Sequence, residues 1–437
     1  MKKMVSYALG CKVNQYESEA IGELFAAKGY EVVSIEEKAD VYVINTCTVT
    51  NFGDKKSRQI IRRVKRQNPE AIVVVVGCYA QTAPDEVMQV EGVNLVIGTK
   101  DKNRIVERVE EYRSEEGLQS FVTNIMQERE FEPLSIETLS DRTRAYIKIQ
   151  DGCSQFCSYC IIPYARGPIR SRNPEDVLKE VQTLAENGYR EVVLTGIHVA
   201  SYGKDLHTTD LLHIIKKVHE IKGIERIRLS SIEPNIITEE FAEEISKLPK
   251  VCDHFHLSLQ SGCDKTLKAM NRKYTTKKYR EATEILRKYL PDVALTTDII
   301  VGFPGETEED FLECYEFAKE IGFSKIHIFP YSPKKGTPAA ERIDQISNEE
   351  KAKRSKELTA LSEQMAMDFM KSHIGKTMPV LFERSVGEHC YEGHTTNYMK
   401  VHMVSEENLK NRILMVTMVE AKEDLLLARS MDKTTSE

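Results

Sequence analysis

Short apolar runs alternate with amphipathic segments in the N-terminal part of the chain. The apolar runs have the length and β-branched composition of buried strands, whereas the segments between them repeat their apolar positions with the period of a helix. The predicted strands are Met4–Leu9, Val41–Asn45, Ile72–Val76 and Leu95–Ile97, and the predicted helices are Glu17–Lys28 and Ser57–Arg66. This alternation is typical of a parallel sheet with helices on its faces.

A second alternating series begins after Gln127–Arg142, a charged stretch with a proline that is typical of a linker. Its predicted strands are Ala145–Ile149, Glu191–Leu194, Ile224–Leu229, His254–Leu259, Ala294–Val301 and Lys325–Phe329, with Pro174–Asn187 and Asp310–Ile321 among the helices between them. Six strand–helix units favour a partial (βα)6 barrel of the TIM type. Such a barrel binds its ligands at the C-terminal ends of the strands.

The C-terminal part of the chain no longer alternates strands with helices. A charged helix over Asn348–Ser372 is followed by short alternating patterns within Ile374–Arg429, such as Thr377–Phe382 and Ile413–Val419, which predict a small β-barrel. The expected fold class is therefore α/β with three domains. These are a parallel α/β domain at 1–113, the partial barrel at 139–371 and the small β-barrel at 372–437.

Composition and charge limit the function classes. The 437 residues are 41% apolar and 30% charged with a net charge of −7, so any nucleic-acid binding must come from local patches. The sequence has no apolar run of about 18 residues, which predicts neither a signal peptide nor a membrane span and favours the cytoplasm. In that reducing compartment, ten cysteines favour metal or redox chemistry over structural disulfides.

One cysteine triplet lies directly after the first predicted barrel strand. Cys153, Cys157 and Cys160 have the spacing CxxxCxxC. Thiolates suit iron–sulfur clusters, and three of them leave one iron of a 4Fe-4S cluster open to chelate the amino and carboxylate groups of S-adenosylmethionine (SAM). The alternatives are chance clustering or a zinc site, but a zinc site usually has a fourth Cys or His nearby, and none lies close in sequence.

The triplet resembles the signature of the radical-SAM superfamily, in which an aromatic residue, here Tyr159, precedes the third cysteine. Two further stretches match that family: Gly302–Thr307 (GFPGET) follows one barrel strand, and Leu194–His198 (LTGIH) follows another. The resemblance implies that the three cysteines are catalytic cluster ligands. It also implies SAM contacts at Tyr159, Gly196, Gln260, Asp298, Val301 and Gly302.

Three more cysteines, Cys11, Cys47 and Cys78, are far apart in sequence, yet each lies within two residues of the end of a predicted strand. The loops that follow parallel strands gather at one edge of a sheet, so the three thiols are expected to converge there. Three thiolates again suit a cluster with an open iron. The alternative is three buried core cysteines, which are common, but that alternative does not explain why all three follow strands.

The local sequences around these cysteines are GCKVNQYESE, NTCTVT and GCYAQ, and they resemble the N-terminal domain of the methylthiotransferases. That family places this domain before a radical-SAM domain and an RNA-binding β-barrel called TRAM. The resemblance implies that Cys11, Cys47 and Cys78 bind an auxiliary 4Fe-4S cluster. It also implies two SAM molecules per turnover, one to methylate sulfur and one to generate a 5′-deoxyadenosyl radical, with electrons from a donor such as flavodoxin or ferredoxin.

The family has three substrate branches, and the first loop, GCKVNQYESE, resembles the branch that modifies threonylcarbamoyladenosine. The second loop, NTCTVT, resembles the same branch, and the stretch CIIPYARG, which begins at Cys160, is more similar to the tRNA branches than to the protein branch. The expected reaction is methylthiolation of C2 of N6-threonylcarbamoyladenosine at position 37, in the tRNA anticodon loop. Isopentenyladenosine in tRNA and an aspartate of a ribosomal protein are the alternative targets. His198 stands where the family often has Asn, and no catalytic role is assigned to it.

A basic stretch that contains no acidic residue follows Cys47 and predicts phosphate contacts, although most charge runs are only solvated helix faces. Its basic residues are Lys55, Lys56, Arg58, Arg62, Arg63, Lys65 and Arg66. Arg166, Arg170 and Arg172 lie similarly close to the other cysteine triplet. The C-terminal segment has about as many acids as bases, so its RNA role rests on the resemblance to TRAM. A zinc-dependent RNA-binding protein remains the non-enzymatic alternative.

Overall fold

The structure, a computed structural model, describes residues 1–136 and 143–430. Part of the predicted linker Gln127–Arg142 therefore lies outside the described residues, as do the predicted domain limit at 139 and residues 431–437. Within the described ranges, no helix combines the length and apolarity needed to cross a bilayer.

The N-terminal part forms one parallel sheet of six strands. The strands are β1 (Lys3–Ala8), β2 (Glu31–Val32), β3 (Val41–Thr46), β4 (Ile72–Gly77), β5 (Leu95–Val96) and β6 (Gln119–Ser120). The helices are α1 (Lys12–Ala26), α2 (Asn51–Gln67), α3 (Cys78–Thr82), α4 (Pro84–Met88) and α5 (Ile105–Glu111). The spatial order is β2-β1-β3-β4-β5-β6, so β1, β3 and β4 are neighbours. The four predicted strands are confirmed, whereas the two-residue edge strands β2 and β6 were not predicted.

Two helices of this sheet begin earlier than predicted. Helix α1 begins at Lys12, because Cys11 is its N-cap with extended backbone and the polar residue Asn14 is buried in its first turn. Helix α2 begins at Asn51, because the side chain of Thr50 accepts a hydrogen bond from the Gly53 amide. The expectation that these helices start at Glu17 and Ser57 is wrong, since polar first turns carry no apolar period.

The second part is a partial barrel. Its strands are β7 (Arg144–Asp151), β8 (Arg170–Ser171), β9 (Glu191–Gly196), β10 (Arg226–Leu229), β11 (His254–His256), β12 (Ala294–Val301) and β13 (Lys325–Pro330). Its helices are α6 (Ile162–Arg166), α7 (Pro174–Glu186), α8 (Leu211–Glu220), α9 (Glu239–Ser246), α10 (Asp264–Ala269), α11 (Thr276–Tyr289), α12 (Glu308–Ile321) and α13 (Asn348–Lys371).

Two hydrogen-bonded sheets make up this barrel, with the orders β10-β9-β7-β8 and β11-β12-β13. Single bridges join them, from Ile227 to Val251 and from Ile232 to Leu257. All six predicted barrel strands are present and the main pairs are parallel, which confirms the partial (βα)6 barrel. Strand β13 is an edge strand, so the barrel is open on that side.

The C-terminal strands form a closed barrel in the order β14-β15-β16-β18-β17, as predicted. They are β14 (Thr377–Gly387), β15 (Cys390–Thr395), β16 (Lys400–Val404), β17 (Arg412–Lys422) and β18 (Leu425–Ser430). Arg226 and Arg228 of β10 donate to backbone carbonyls of this barrel at 2.7–3.3 Å, which attaches it to the partial barrel.

The N-terminal sheet also packs against the partial barrel through α1. The Tyr16 hydroxyl donates to the Leu134 carbonyl at 2.6 Å and lies 3.1 Å from the Glu180 carboxylate of α7. Leu134 and Ile136 are buried in the core of the partial barrel, so this part of the predicted linker is packed. The interface brings the ends of β1, β3 and β4 close to the loop that follows β7.

Candidate functional site

The first candidate metal centre lies at the carboxyl edge of the N-terminal sheet. Cys11 caps α1 after β1, Cys47 directly follows β3, and Cys78 is the first residue of α3 directly after β4. Because the three strands are parallel neighbours, the three thiols lie at one edge, as the strand pattern predicted. Their role as cluster ligands stays a prediction.

Two glycines allow the loops at this edge to approach each other. Gly10 has a φ of 91°, and a Cβ on it would lie 2.6 Å from Cys47 Cβ. Gly77 has a φ of 94°, and its Cβ would lie 2.4 Å from Asn45 Oδ1. Any larger residue at either position would clash and adopt a strained backbone. The loops carrying Cys11 and Cys47 are therefore packed against each other.

The protonation of these thiols follows their burial. Cys78 is buried, Cys47 is half-buried and Cys11 is exposed. Burial raises the pKa of Cys47 to about 12, and it raises the pKa of Cys78 as well. As free side chains, Cys47 and Cys78 are therefore neutral thiols, and ligation to a metal releases their protons.

The second candidate metal centre lies in the loop between β7 and α6. The Cys153 amide donates to the Gly167 carbonyl, and the Cys160 amide donates to the Cys157 carbonyl, each at 3.0 Å. These bonds fold the loop back on itself and bring the triplet together. Burial raises the pKa of Cys153 to about 11 and that of Cys160 to about 12.

A network of polar side chains that the sequence did not indicate lies next to this second centre. Arg272 donates to Cys157 Sγ at 3.2 Å and to the Glu233 carboxylate at 2.8 Å. Glu233 in turn lies 3.2 Å from Nε2 of His198. His198 is therefore part of this network of polar side chains. No motif marks Arg272 or Glu233, since both are distant from the triplet in sequence and are brought to it only by the barrel.

The predicted SAM-contact residues lie on several strands of the barrel. Gly196 ends β9, where a Cβ would lie 2.9 Å from the Gln150 carbonyl. Gln260 has a φ of 71°, and its amide donates to the Asp298 carbonyl at 2.8 Å. Asp298 is half-buried on β12. Glycine at 196 therefore lets β9 lie close against Gln150 of β7, and Gln260 and Asp298 lie side by side.

The remaining predicted contacts lie near the end of β12. Tyr159 packs edge-on against Phe303. Gly302 has a φ of 67°, and its amide donates to the Glu306 carboxylate at 2.9 Å. The side chain of Val301 is buried in the core, so only its backbone is available to a ligand in the lumen. The SAM contacts stay predictions.

A group of charged side chains lines the barrel lumen. His256 lies 3.3 Å from the Asp298 carboxylate, and its ring lies 5.7 Å from that of His327. Lys12, the first residue of α1, is exposed in part, yet desolvation of its ammonium and then the nearby charges of Arg144 and Arg228 lower its pKa, whereas the charge of Asp298 raises it. Among the described residues, Lys12 Nζ has no hydrogen-bond or ion-pair partner.

The donor sets suit iron–sulfur clusters. All ten cysteines, each within the described residues, are free thiols. In the described part of the chain, no three Cys, His, Asp or Glu side chains are arranged to hold a single metal ion. A 4Fe-4S cluster takes each thiolate on a different iron, so its ligands stand farther apart than those of one ion. Two triads of soft donors, each next to a buried arginine, fit such a group.

The basic residues of helix α2 do not all behave alike. Lys55, Lys56, Arg62 and Arg66 are exposed, whereas the partly buried Arg58 donates to the Tyr79 hydroxyl at 2.6 Å. Arg63 pairs with Glu36, and Lys65 donates to the Ala71 carbonyl at 3.0 Å. Of its five exposed cations, the helix thus presents four that have no carboxylate partner among the described residues to a phosphate backbone. These roles stay predictions.

The arginines after the second triad are different. Arg166, Arg170 and Arg172 are all buried, and each pairs with a carboxylate inside the protein. A buried guanidinium that is already bonded to a carboxylate cannot reach a phosphate, so the closeness of these arginines to the triplet in sequence does not make them an RNA-binding surface.

Comparison with known proteins agrees with this architecture. Residues 147–318 match the model of the Radical SAM superfamily, and residues 3–98 match that of the Uncharacterized protein family UPF0004. The solved structure of the radical SAM methyltransferase TsrM from Kitasatospora setae has a TM-score of 0.57 at 17% identity. The match covers 78% of this chain and 77% of that one, and it supports the fold alone.

Curated relatives extend the match over nearly the whole chain. The threonylcarbamoyladenosine tRNA methylthiotransferase MtaB of Bacillus subtilis is 46% identical, over 96% of this chain and 94% of that protein. Its namesake in Aquifex aeolicus is 41% identical, over 87% and 92%. A tRNA-2-methylthio-N(6)-dimethylallyladenosine synthase of Sulfurihydrogenibium is 35% identical, over 88% and 89%. With identity of this extent across both cysteine triads and the closed barrel, the chain belongs to the radical-SAM methylthiotransferase family.

Proposed function

We propose that this enzyme adds a methylthio group to C2 of N6-threonylcarbamoyladenosine at position 37 of tRNA, in the cytoplasm. The observation that carries the proposal is that two separate cysteine triads lie beside one barrel. The choice of substrate is supported by the relatives: those named for threonylcarbamoyladenosine reach 46% identity, against 35% for those named for dimethylallyladenosine.

The two triads have different roles in this proposal. Cys153, Cys157 and Cys160 would hold one cluster, which with SAM and an electron donor such as flavodoxin or ferredoxin would supply the radical chemistry at C2. Cys11, Cys47 and Cys78 would hold the auxiliary cluster, which with a second SAM would supply the methylated sulfur. The chain's contribution is to place both sites at one lumen and to exclude water from it.

Side chains of the barrel lumen recognise the substituent on the adenine. A threonylcarbamoyl group carries a carboxylate, whereas an isopentenyl group is apolar. Lys12 offers an ammonium without a protein partner among the described residues, directly after Cys11 and beside the lumen charges. We assign it the carboxylate, because an unpaired cation next to the proposed sulfur site favours an anionic over an apolar group.

The tRNA itself contacts an outer surface in this proposal. The exposed cations of α2 follow Phe52, an aromatic ring that is 73% exposed at the start of the helix. Cations bind phosphates, and exposed aromatic rings stack on unpaired bases, as a flipped anticodon-loop nucleotide requires. The closed C-terminal barrel adds further RNA contacts by analogy with TRAM.

The test is an anaerobic assay with reconstituted enzyme and two tRNAs, one carrying threonylcarbamoyladenosine and one carrying isopentenyladenosine, with nucleosides identified by mass spectrometry. We expect the methylthio product only on the first. Product only on the second, or only on a ribosomal protein, would assign the enzyme to another branch. Lys12→Gln should raise the KM for the first tRNA about tenfold while leaving SAM cleavage unchanged, and Lys28→Gln on the exposed end of the same segment is the matched control.

A further inference from the structure

Arg166 ends helix α6, six residues after Cys160, yet its guanidinium lies in the N-terminal domain's cysteine site. It is among the largest side chains that are fully buried in the described structure. Its Nε donates to Cys78 Sγ at 3.3 Å. The loop that carries the second triad therefore also supplies a hydrogen-bond donor to the first.

The other N–H groups of Arg166 are bonded as well. Nη1 donates to Glu17 Oε1 at 2.5 Å and to Asp151 Oδ2 at 3.3 Å. Nη2 donates to Asn14 Oδ1 at 2.6 Å and to Glu17 Oε2 at 3.1 Å. All five donors of the planar fork are used, which fixes the guanidinium in one orientation.

The contact with Asn14 extends this arrangement to the other two cysteine loops. The Asn14 amide donates to the Leu9 carbonyl at 2.7 Å and to the Thr46 carbonyl at 3.0 Å. Leu9 leads into the loop of Cys11, and Thr46 directly precedes Cys47. Arg166 thus contacts one cysteine directly and holds the loops of the other two through a single amide.

The charges around Arg166 also favour anionic ligands. Lys102, Lys148, Arg166 and Arg170 are buried cations, whereas the buried carboxylates that pair with them belong to Glu17, Asp151 and Glu132. Among the described residues, four cations face three carboxylates, so the buried network that reaches Cys78 carries one excess positive charge. An uncompensated buried charge is costly, and thiolates bound to a metal cluster would neutralise it.

From these contacts we propose that Arg166 is a positioning residue by which the radical-SAM domain completes the auxiliary cluster site. Its N–H to the Cys78 thiolate and its positive charge stabilise the reduced cluster, and its bond to Asn14 holds the three ligand loops in register. Hydrogen bonds to cluster sulfurs and local charge are the protein's means of setting a cluster's reduction potential. This inference rests on the proposed function, since it needs the auxiliary cluster to exist.

The test uses the full chain with Cys153, Cys157 and Cys160 replaced by Ala, so that only the auxiliary cluster is present. In that background, Arg166→Gln should shift the midpoint potential from EPR-monitored titration to a more negative value. It should also make iron loss to a chelator about tenfold faster. Arg166→Lys, which keeps the charge but not the fork, should give an intermediate result.

Arg170→Gln is the matched control. Arg170 is buried in the same network, but it donates to the Arg166 and Pro168 carbonyls and pairs with Asp151. Its loss removes the same charge without removing the bond to sulfur. A potential and iron retention that are the same in the Arg166→Gln and Arg170→Gln proteins would overturn the inference. Failure of the parent variant to assemble any cluster would instead refute the auxiliary-cluster proposal.

A second measurement needs no change at Arg166. In the same cysteine background with 15N-labelled arginine, pulsed EPR of the reduced cluster should detect coupling to a guanidinium nitrogen, because Nε lies within hydrogen-bond distance of Cys78 Sγ. Arg272 does not interfere, since its cysteine partner and that cluster are absent. A reduced cluster without such a coupling would contradict the proposal even if Arg166→Gln does not fold.

Discussion

The two cysteine triads resemble each other in chemistry and differ in how the chain builds them. In each triad a buried cysteine accepts an N–H from an arginine, Cys78 from Arg166 and Cys157 from Arg272. The second triad, however, occupies one loop after one strand, whereas the first is assembled from three loops after three strands. A local motif fixes the second, and only the order of strands in the sheet fixes the first.

The surroundings of the two arginines differ as well. Arg166 lies in a network of buried charges that spans two domains. Arg272 stays within the barrel, where it also donates to the Tyr274 hydroxyl at 3.0 Å and pairs with Glu233. Damage to the first site is therefore expected to reach the domain interface, whereas damage to the second should remain local.

The largest effect is expected from replacing Cys153, Cys157 and Cys160 together with Ala. About half of roughly eight iron atoms per chain should be lost, and reductive SAM cleavage should stop, because the triad is the only proposed site for that step. Iron and 5′-deoxyadenosine are measured on the same anaerobic sample. Continued formation of 5′-deoxyadenosine would show that the two triads are not divided in this way.

Replacing Cys47 with Ala should abolish methylthiolation without abolishing SAM cleavage, and so distinguish the roles of the two triads. Two thiolates are too few to hold the auxiliary cluster firmly, so the methylthio product on tRNA should disappear. SAM cleavage should continue, because the other triad keeps its three ligands. Both products are quantified from one tube, per folded protein.

Cys252→Ala is the control for this uncoupling, because Cys252 is buried in the core and belongs to neither triad. It should lower the free energy of unfolding by about 1 kcal/mol and leave both activities in the folded fraction. Normal methylthiolation by the Cys47→Ala protein would sink the auxiliary-cluster assignment.

A smaller effect is expected at Arg272. Arg272→Gln removes the bond to Cys157 and leaves Glu233 without its cation, so the rate of SAM cleavage should fall about tenfold while the cluster still assembles. The neighbouring Lys273 is exposed, and within residues 1–136 and 143–430 its ammonium donates only to Asn271, so Lys273→Gln should have no effect. If the two variants cleave SAM equally fast, the arginines at the two triads do not play parallel parts.

More of the fold than of the candidate site could be predicted from the sequence. Six barrel strands and four sheet strands were predicted because buried parallel strands are continuous apolar runs. The two triads were indicated because cysteines at strand ends have a strong chemical signal. Arg272 and Glu233 were not found, since no local pattern marks a residue that acts through a distant contact. Arg166 was noted only as a cation close to the second triplet, because charge is visible in a sequence and burial is not.

The contact between the closed barrel and the partial barrel contains a buried histidine that belongs to neither triad. His254 of β11 is buried where this barrel meets the lumen, with Nε2 3.1 Å from Thr296 Oγ1 and its ring 4.9 Å from that of Tyr398. Burial lowers the pKa of His254 well below 6.5, and the charges of Arg228, His256, Lys12 and His327 add to this effect. The folded protein therefore keeps this histidine neutral at mildly acidic pH.

This neutral histidine predicts a pH dependence of stability that does not involve iron. Below pH 6.5 the unfolded chain binds a proton at His254 and the folded chain does not. The free energy of unfolding should therefore fall by about 1.4 kcal/mol per pH unit until the folded pKa is reached. Urea unfolding of the metal-free protein at pH 6.5 and 5.5 measures this slope.

The His254→Gln substitution should remove about 1 kcal/mol of the difference in unfolding free energy between these two pH values. The His389→Gln substitution, at an exposed histidine of the closed barrel, should not change that difference. Equal slopes in the parent and the His254→Gln protein would mean that His254 takes up its proton without unfolding, and that the barrel contact tolerates charge.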